Sequence, residues 1–273
     1  MKHLVVGNPM FAELQRQKRV ALSKQNWSGG PLGARVLLIS VYAYLFFLTV
    51  TNPRSVEPVA LLYVLMVILF LCMPATLHGA IAGDRERRSL DLLLVAPVTP
   101  GQIIVGKFAR GLALMLAIMV SIGLPCFIVQ AVHGAQGMSF YWSDSYGMAG
   151  FLRGMLLVFA TGAFLGALSL WISTRARSNG AALLGVVGAI FLIYVLSFVF
   201  ASVIGVMSET GSQMLIDVHP FVALANTTIR NAGWASHDTV AWAWFSTICH
   251  LGLAAVLLAS ARNNLERISK GRM

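Results

Sequence analysis

The sequence predicts an all-α integral membrane protein: six transmembrane helices, an N-terminal amphipathic helix in the membrane interface, and a charged helix between the second and third spans. Three observations carry this. The 273 residues are 58% hydrophobic and only 11% charged, with a mean hydropathy of +0.77, whereas soluble domains carry about 25% charged residues. Six apolar stretches, at about 36–52, 58–82, 108–132, 150–173, 181–207 and 239–260, are each long enough to cross a roughly 30 Å hydrocarbon layer as a helix. The positive charges are also strongly sided. With the N-terminus inside, 17 of the 20 Lys and Arg residues fall on the inner side, leaving Arg54, Arg153 and Arg230 outside. That bias places both termini in the cytoplasm. It turns a net charge of +10 into a topology signal and a contact with anionic lipid, not a nucleic-acid footprint.

The chain opens with a short apolar run, Leu4-Val5-Val6, followed by charges, which is no secretory signal. Residues 8–26 predict an interfacial helix. Asn8 caps it and Pro9 occupies its first turn, Phe11 and Leu14 lie on an apolar face, and Glu13 and Arg16 lie mostly elsewhere. A solvated basic arm is the plainer alternative. Trp27-Ser-Gly-Gly-Pro31 then turns the chain into the first span.

Between the second and third spans runs Asp84-Arg85-Glu86-Arg87-Arg88-Ser89-Leu90, continuing through Leu93 and Leu94 to Pro97. Asp84 is read as a cap, and Asp84/Arg88 and Arg87/Asp91 as i,i+4 pairs. Leu90, Leu93, Leu94 and Pro97 share one helical face. Pro97 ends this 84–97 helix. Thr99-Pro100-Gly101-Gln102 then reads as a capping box with Pro at the first helical position. A loop between any two spans can hold a short amphipathic helix, which is the bland reading of the same residues. The segment 208–238 forms a longer outer connection, with short helices that dip back to the membrane. Tyr141, Trp142 and Tyr146 after the third span, and Trp234, Trp242 and Trp244 at the outer start of the sixth, suit the head-group level.

Gly101-Gln-Ile-Ile-Val-Gly106-Lys107-Phe108 comes close to a phosphate-binding loop. Phe108 offers no hydroxyl for magnesium, a capped helix start precedes the first glycine where a strand is needed, and the segment enters a span directly. Lys107 reads as an interface anchor, and no cofactor is expected in this chain. Cys72, Cys126 and Cys249 lie in apolar runs, which excludes a disulfide framework and a Cys-rich zinc site. No acidic residue lies in a span core, where proton-coupled carriers need one. His250 is the ionisable side chain nearest a span centre and reads as a packing or pore-facing residue, not a metal or haem ligand. No arrangement of residues supports catalysis.

Small residues recur at helical spacing: Gly150/Gly154 and Gly162/Gly166 in the fourth span, and Ala181/Gly185/Ala189 in the fifth. They allow close helix approach, either inside the chain or at a dimer interface. Pro74 and Pro125 are expected to kink their spans.

The string from Pro74 through Glu86-Arg87 and Leu92-Leu93-Leu94 to Pro97, with Gly106-Lys107 entering the third span, resembles permease subunits of type-2 ABC exporters. Asn8-Pro9, six spans and inside termini agree with it. Arg88-Ser89-Leu90 departs from the Gly-Thr-Leu-type sequence that many members have. The resemblance implies a single permease domain in the cell membrane, paired with a second identical or paralogous permease subunit. A separate cytoplasmic ABC ATP-binding subunit would hold ATP and magnesium. The 84–97 segment would then be the coupling helix that receives the ATPase stroke, braced by the interfacial helix. A secondary carrier or channel is one alternative. A membrane protein of haem or metal-site assembly, resting on His250, is the other.

Overall fold

The computed structural model describes residues 58–87, 89–90, 98–135, 147–199, 219–228 and 237–271, all within one compact unit, Asn52–Met273. The interfacial helix with Asn8, Pro9, Phe11, Glu13, Leu14 and Arg16, the first span at 36–52, and Arg88, Leu93, Leu94 and Pro97 lie outside the described residues.

Every described element is helical. In order they are α1 (Pro58–Leu77), α2 (Ala82–Glu86), α3 (Pro100–Ala135) and α4 (Gly147–Arg175), then α5 (Asn179–Ile190), which continues into a π-helical turn (Phe191–Leu196). The short α6 (Pro220–Thr228) and α7 (His237–Lys270) complete the chain. Among the described residues five helical stretches are long and apolar enough to span a bilayer: Leu61–Glu86, Pro100–Leu124, Ala149–Arg175, Asn179–Val199 and Ala241–Lys270.

Helix boundaries differ from expectation where capping and tertiary contacts outweigh hydropathy. α1 ends at Leu77, short of the expected 82, and a turn at 78–81 leads into α2. α3 starts at Pro100 because the capping box feeds the span without a break: Thr99 N donates to Gln102 Oε1 at 2.9 Å and Gln102 N to Thr99 Oγ1 at 3.3 Å. α5 starts at Asn179 because Ser178 caps it, its hydroxyl accepting from Ala181 N at 3.3 Å. α7 runs ten residues past the expected end at 260, since Ala261 and Leu265 are buried against the rest of the chain. Pro74 and Pro125 both lie within helices, and α3 continues through Pro125 to Ala135.

α4 is the central element, packed by α1, α3, α6 and α7. Lipid tails are as apolar as Leu, so hydrophobicity alone does not pull spans together and close packing must do it. Gly162 and Gly166 supply it. A Cβ at Gly162 would lie 2.5 Å from Met115 Sδ, and one at Gly166 would lie 2.6 Å from Met73 Cε. Gly123 of α3 is covered by Met155 of α4 in the same way. A second, smaller core lies at the other end of the helices, where Ile81, Leu90, Ile103, Ile104, Leu170, Ala261 and Leu265 cluster. It binds the α1–α3 connection to the ends of α4 and α7.

Candidate functional site

The connection after α1, an elbow that includes α2, is fastened by polar contacts to three other helices. Ser173, fully buried near the end of α4, accepts the amides of Ile81 and Ala82 at 2.9 and 3.0 Å. These are the open donors at the start of α2, which a helix cannot satisfy internally. Asp84 is therefore not the cap, because α2 begins two residues earlier at Ala82 on the Ser173 hydroxyl. The Asp84 carboxylate instead meets Lys107 Nζ of α3 at 2.5 Å, and the same ammonium donates to the Ala80 carbonyl. Lys107 thus bolts α3 to the elbow. The Gly101–Lys107 stretch is continuous helix, not a phosphate-cradling loop.

Arg85 reaches the far end of α4. Its Nη2 donates to the Thr174 carbonyl at 2.9 Å and its Nη1 to the Ala176 carbonyl. Glu86 is exposed, and its Oε2 accepts from Asn179 N at 3.1 Å at the start of α5. Ser89 Oγ donates to the Asp84 carbonyl at 3.1 Å, and Leu90 is buried in the smaller core. The chain turns at Arg87, so the helix expected over 84–97 does not run unbroken through its first half. Behind the elbow, Trp171 Nε1 donates to Ser260 Oγ at 2.9 Å, Arg175 lies 4.0 Å over the Trp171 ring, and Asn264 Nδ2 donates to Thr174 Oγ1 at 3.4 Å. The ends of α4 and α7 are thereby joined beside it.

A profile for ABC-2 family transporter proteins matches residues 12–262. The chain belongs to the ABC-2 transporter family. It is accordingly a membrane permease of an ABC transporter. A search of curated proteins found no match.

In this ABC-2 permease a second polar cluster lies within the spans. Tyr194, in the π-helical turn, shares a 3.2 Å hydrogen bond with His250 Nε2, and His250 Nδ1 lies 2.7 Å from the Ser246 carbonyl. Phe70, Phe164 and His219 set their rings against Tyr194. His219, just before α6 and outside the spans, is pushed below its ordinary imidazole pKa, chiefly by burial. A hydrogen bond at the Tyr194 main chain opposes this, and the neighbouring His250 adds to it.

Of the small residues singled out by spacing, Gly162 and Gly166 are buried inside the chain, Ala181 and Gly185 are exposed, and Ala189 is half-buried. Sequence reasoning missed Ser173, Thr174, Ala176 and Asn179 as elbow partners. The signal was the polar break Ser173-Thr-Arg-Ala-Arg-Ser-Asn179 between two apolar runs, which supplies a helix end, a cap and a new start.

Proposed function

We propose that this chain is the permease half of an ATP-driven exporter. A cytoplasmic ABC ATP-binding subunit hydrolyses ATP, and a second permease subunit completes the translocation path in the cell membrane. The 84–97 segment is the coupling segment, with Leu93, Leu94 and Pro97 presented to the ATPase groove while Leu90, buried in the smaller core, anchors it to the spans, and residues 8–26 brace it at the inner surface. Both termini are cytoplasmic, and ATP and magnesium belong to the partner. The observation that carries this reading is the elbow. A short charged helix between two spans is fastened to α3, α4 and α5, so force applied there reaches three helices at once. No acidic residue in a span core supports ion-coupled transport.

Purification in mild detergent tests it. A soluble ATPase should accompany the chain, and its hydrolysis should depend on the chain's presence. Leu93→Asp, which puts a charge on the docking face, should leave insertion intact and release the ATPase, since an apolar interface anchor is typically worth about 2 kcal/mol or more. An intact, transport-competent complex carrying Leu93→Asp and Leu94→Asp would refute the docking assignment.

A further inference from the structure

We infer that the adjacent Arg85 and Glu86 are positioning residues that form a two-pronged clamp on the turn joining α4 to α5, delivering movement of the elbow to the start of α5. This rests on the permease reading above. The two prongs have opposite charge and grip opposite helix ends. The Arg85 guanidinium takes the carbonyls of Thr174 and Ala176, at the C-terminal end of α4, where unpaired carbonyls carry partial negative charge. The Glu86 carboxylate takes the Asn179 amide, at the N-terminal end of α5, where unpaired amides carry partial positive charge. Exchanging the two charges would set each against its dipole. Gly79 completes the grip, because a Cβ there would collide with the Asn179 side-chain amide.

The two gripped helices differ in how they are held. In the apolar window of α4, 72% of residues are buried within the chain, against 17% in that of α5 and its extension. Leu184 and Leu192 of that span are largely uncovered. α4 is locked by packing on several sides, so a displacement of the clamp is taken up by α5. The elbow steers a loosely held span through a turn of a few residues.

Two measurements test the clamp. In the purified chain, Glu86→Ala should raise the hydrogen-exchange rate of the amides at 179–182 about tenfold, the size expected from losing one hydrogen bond to a charged group. Glu86→Gln, which keeps an oxygen acceptor, should restore part of the protection. In the transporter assembled with its co-purified ATPase, an environment-sensitive label on Leu184→Cys, with Cys72, Cys126 and Cys249 replaced by Ala, should respond to ATP. Arg85→Ala should lose at least half of that response while retaining the ATPase. If Arg85→Ala does not fold, Arg85→Lys, which keeps the charge but not the fork, carries the same test. Unchanged exchange in Glu86→Ala, or a full ATP response at Leu184 with both prongs removed, overturns the clamp. A chain that brings down no ATPase refutes the permease reading instead, and the exchange measurement still judges the clamp.

Discussion

Ser173→Ala is the most informative single change, because one buried oxygen serves two amides. Ser173, Ile81 and Ala82 are all fully buried, and the hydroxyl accepts from both amides. Removing it orphans two donors. A buried unsatisfied donor costs about 1–3 kcal/mol, and the lower half of that range applies where a short turn can adjust, giving about 2–4 kcal/mol in all. At about 2–4 °C per kcal/mol for a domain somewhat smaller than this, the melting temperature in detergent should fall by roughly 4 °C or more. Ser169→Ala is the control. Ser169 is equally buried on the same helix, but its hydroxyl only donates back to the Leu165 carbonyl at 2.7 Å, so its loss leaves no donor unpaired. Melting curves of the two variants that coincide within about 1 °C would refute the argument that the elbow hangs on Ser173.

The Asp84–Lys107 pair, with side chains 26% and 17% exposed, should show a coupling energy of about 1 kcal/mol in a double-mutant cycle of Asp84→Asn and Lys107→Met. Lys107→Ala should also leave nucleotide binding by the assembled transporter nearly unchanged, and a loss of ATP binding by the isolated chain on that change would revive a phosphate-loop role. Because the His219 pKa is lowered on folding, the unfolded chain takes up that proton first. The His219 contribution to stability is therefore full above its ordinary pKa of 6.5 and falls as the pH drops below it. Melting temperature should decline below about pH 6.5, and His219→Gln should flatten the decline; an unaltered slope would exclude His219 as its source. Cysteines replacing Ser143 and Gly211 should be labelled from outside the cell and one replacing Ser89 should not. Outside labelling at Ser89 would invert the topology.

The helical class was legible because a bilayer demands long apolar runs and nothing else satisfies their backbone. The Thr99–Gln102 capping box was legible because its partners lie within one turn. The elbow's fastenings were not. Arg85 meets carbonyls 89 and 91 residues away, Glu86 an amide 93 residues away, and Asp84 an ammonium 23 residues away. Local spacing favoured i,i+4 partners for Asp84 and could not anticipate Lys107. The start of α5 was legible in principle, since Ser178-Asn179 precedes the apolar run and Ser is a strong cap. Weighing hydropathy above capping placed it two residues late. The extension of α7 was hidden by Arg262 and Glu266, which pair at 2.8 Å on an exposed face, while Ala261 and Leu265 turn inward.

The three glycines covered by methionine have a mechanical consequence. Gly162, Gly166 and Gly123 each offer a bare stretch of backbone, and each is met by the tip of an unbranched thioether: Met115, Met73 and Met155. Branched side chains interlocked across the same gap would fix the helices in one register, since each would have to climb over its neighbour's ridge. A thioether has three rotatable bonds and no branch, so its tip can follow the backbone as the helix shifts and keep its contacts along the way. The branched Leu69 and Leu77 packed beside Gly162 and Gly166 hold the register, so the thioethers let these seams absorb small local shifts while α4 stays locked in place.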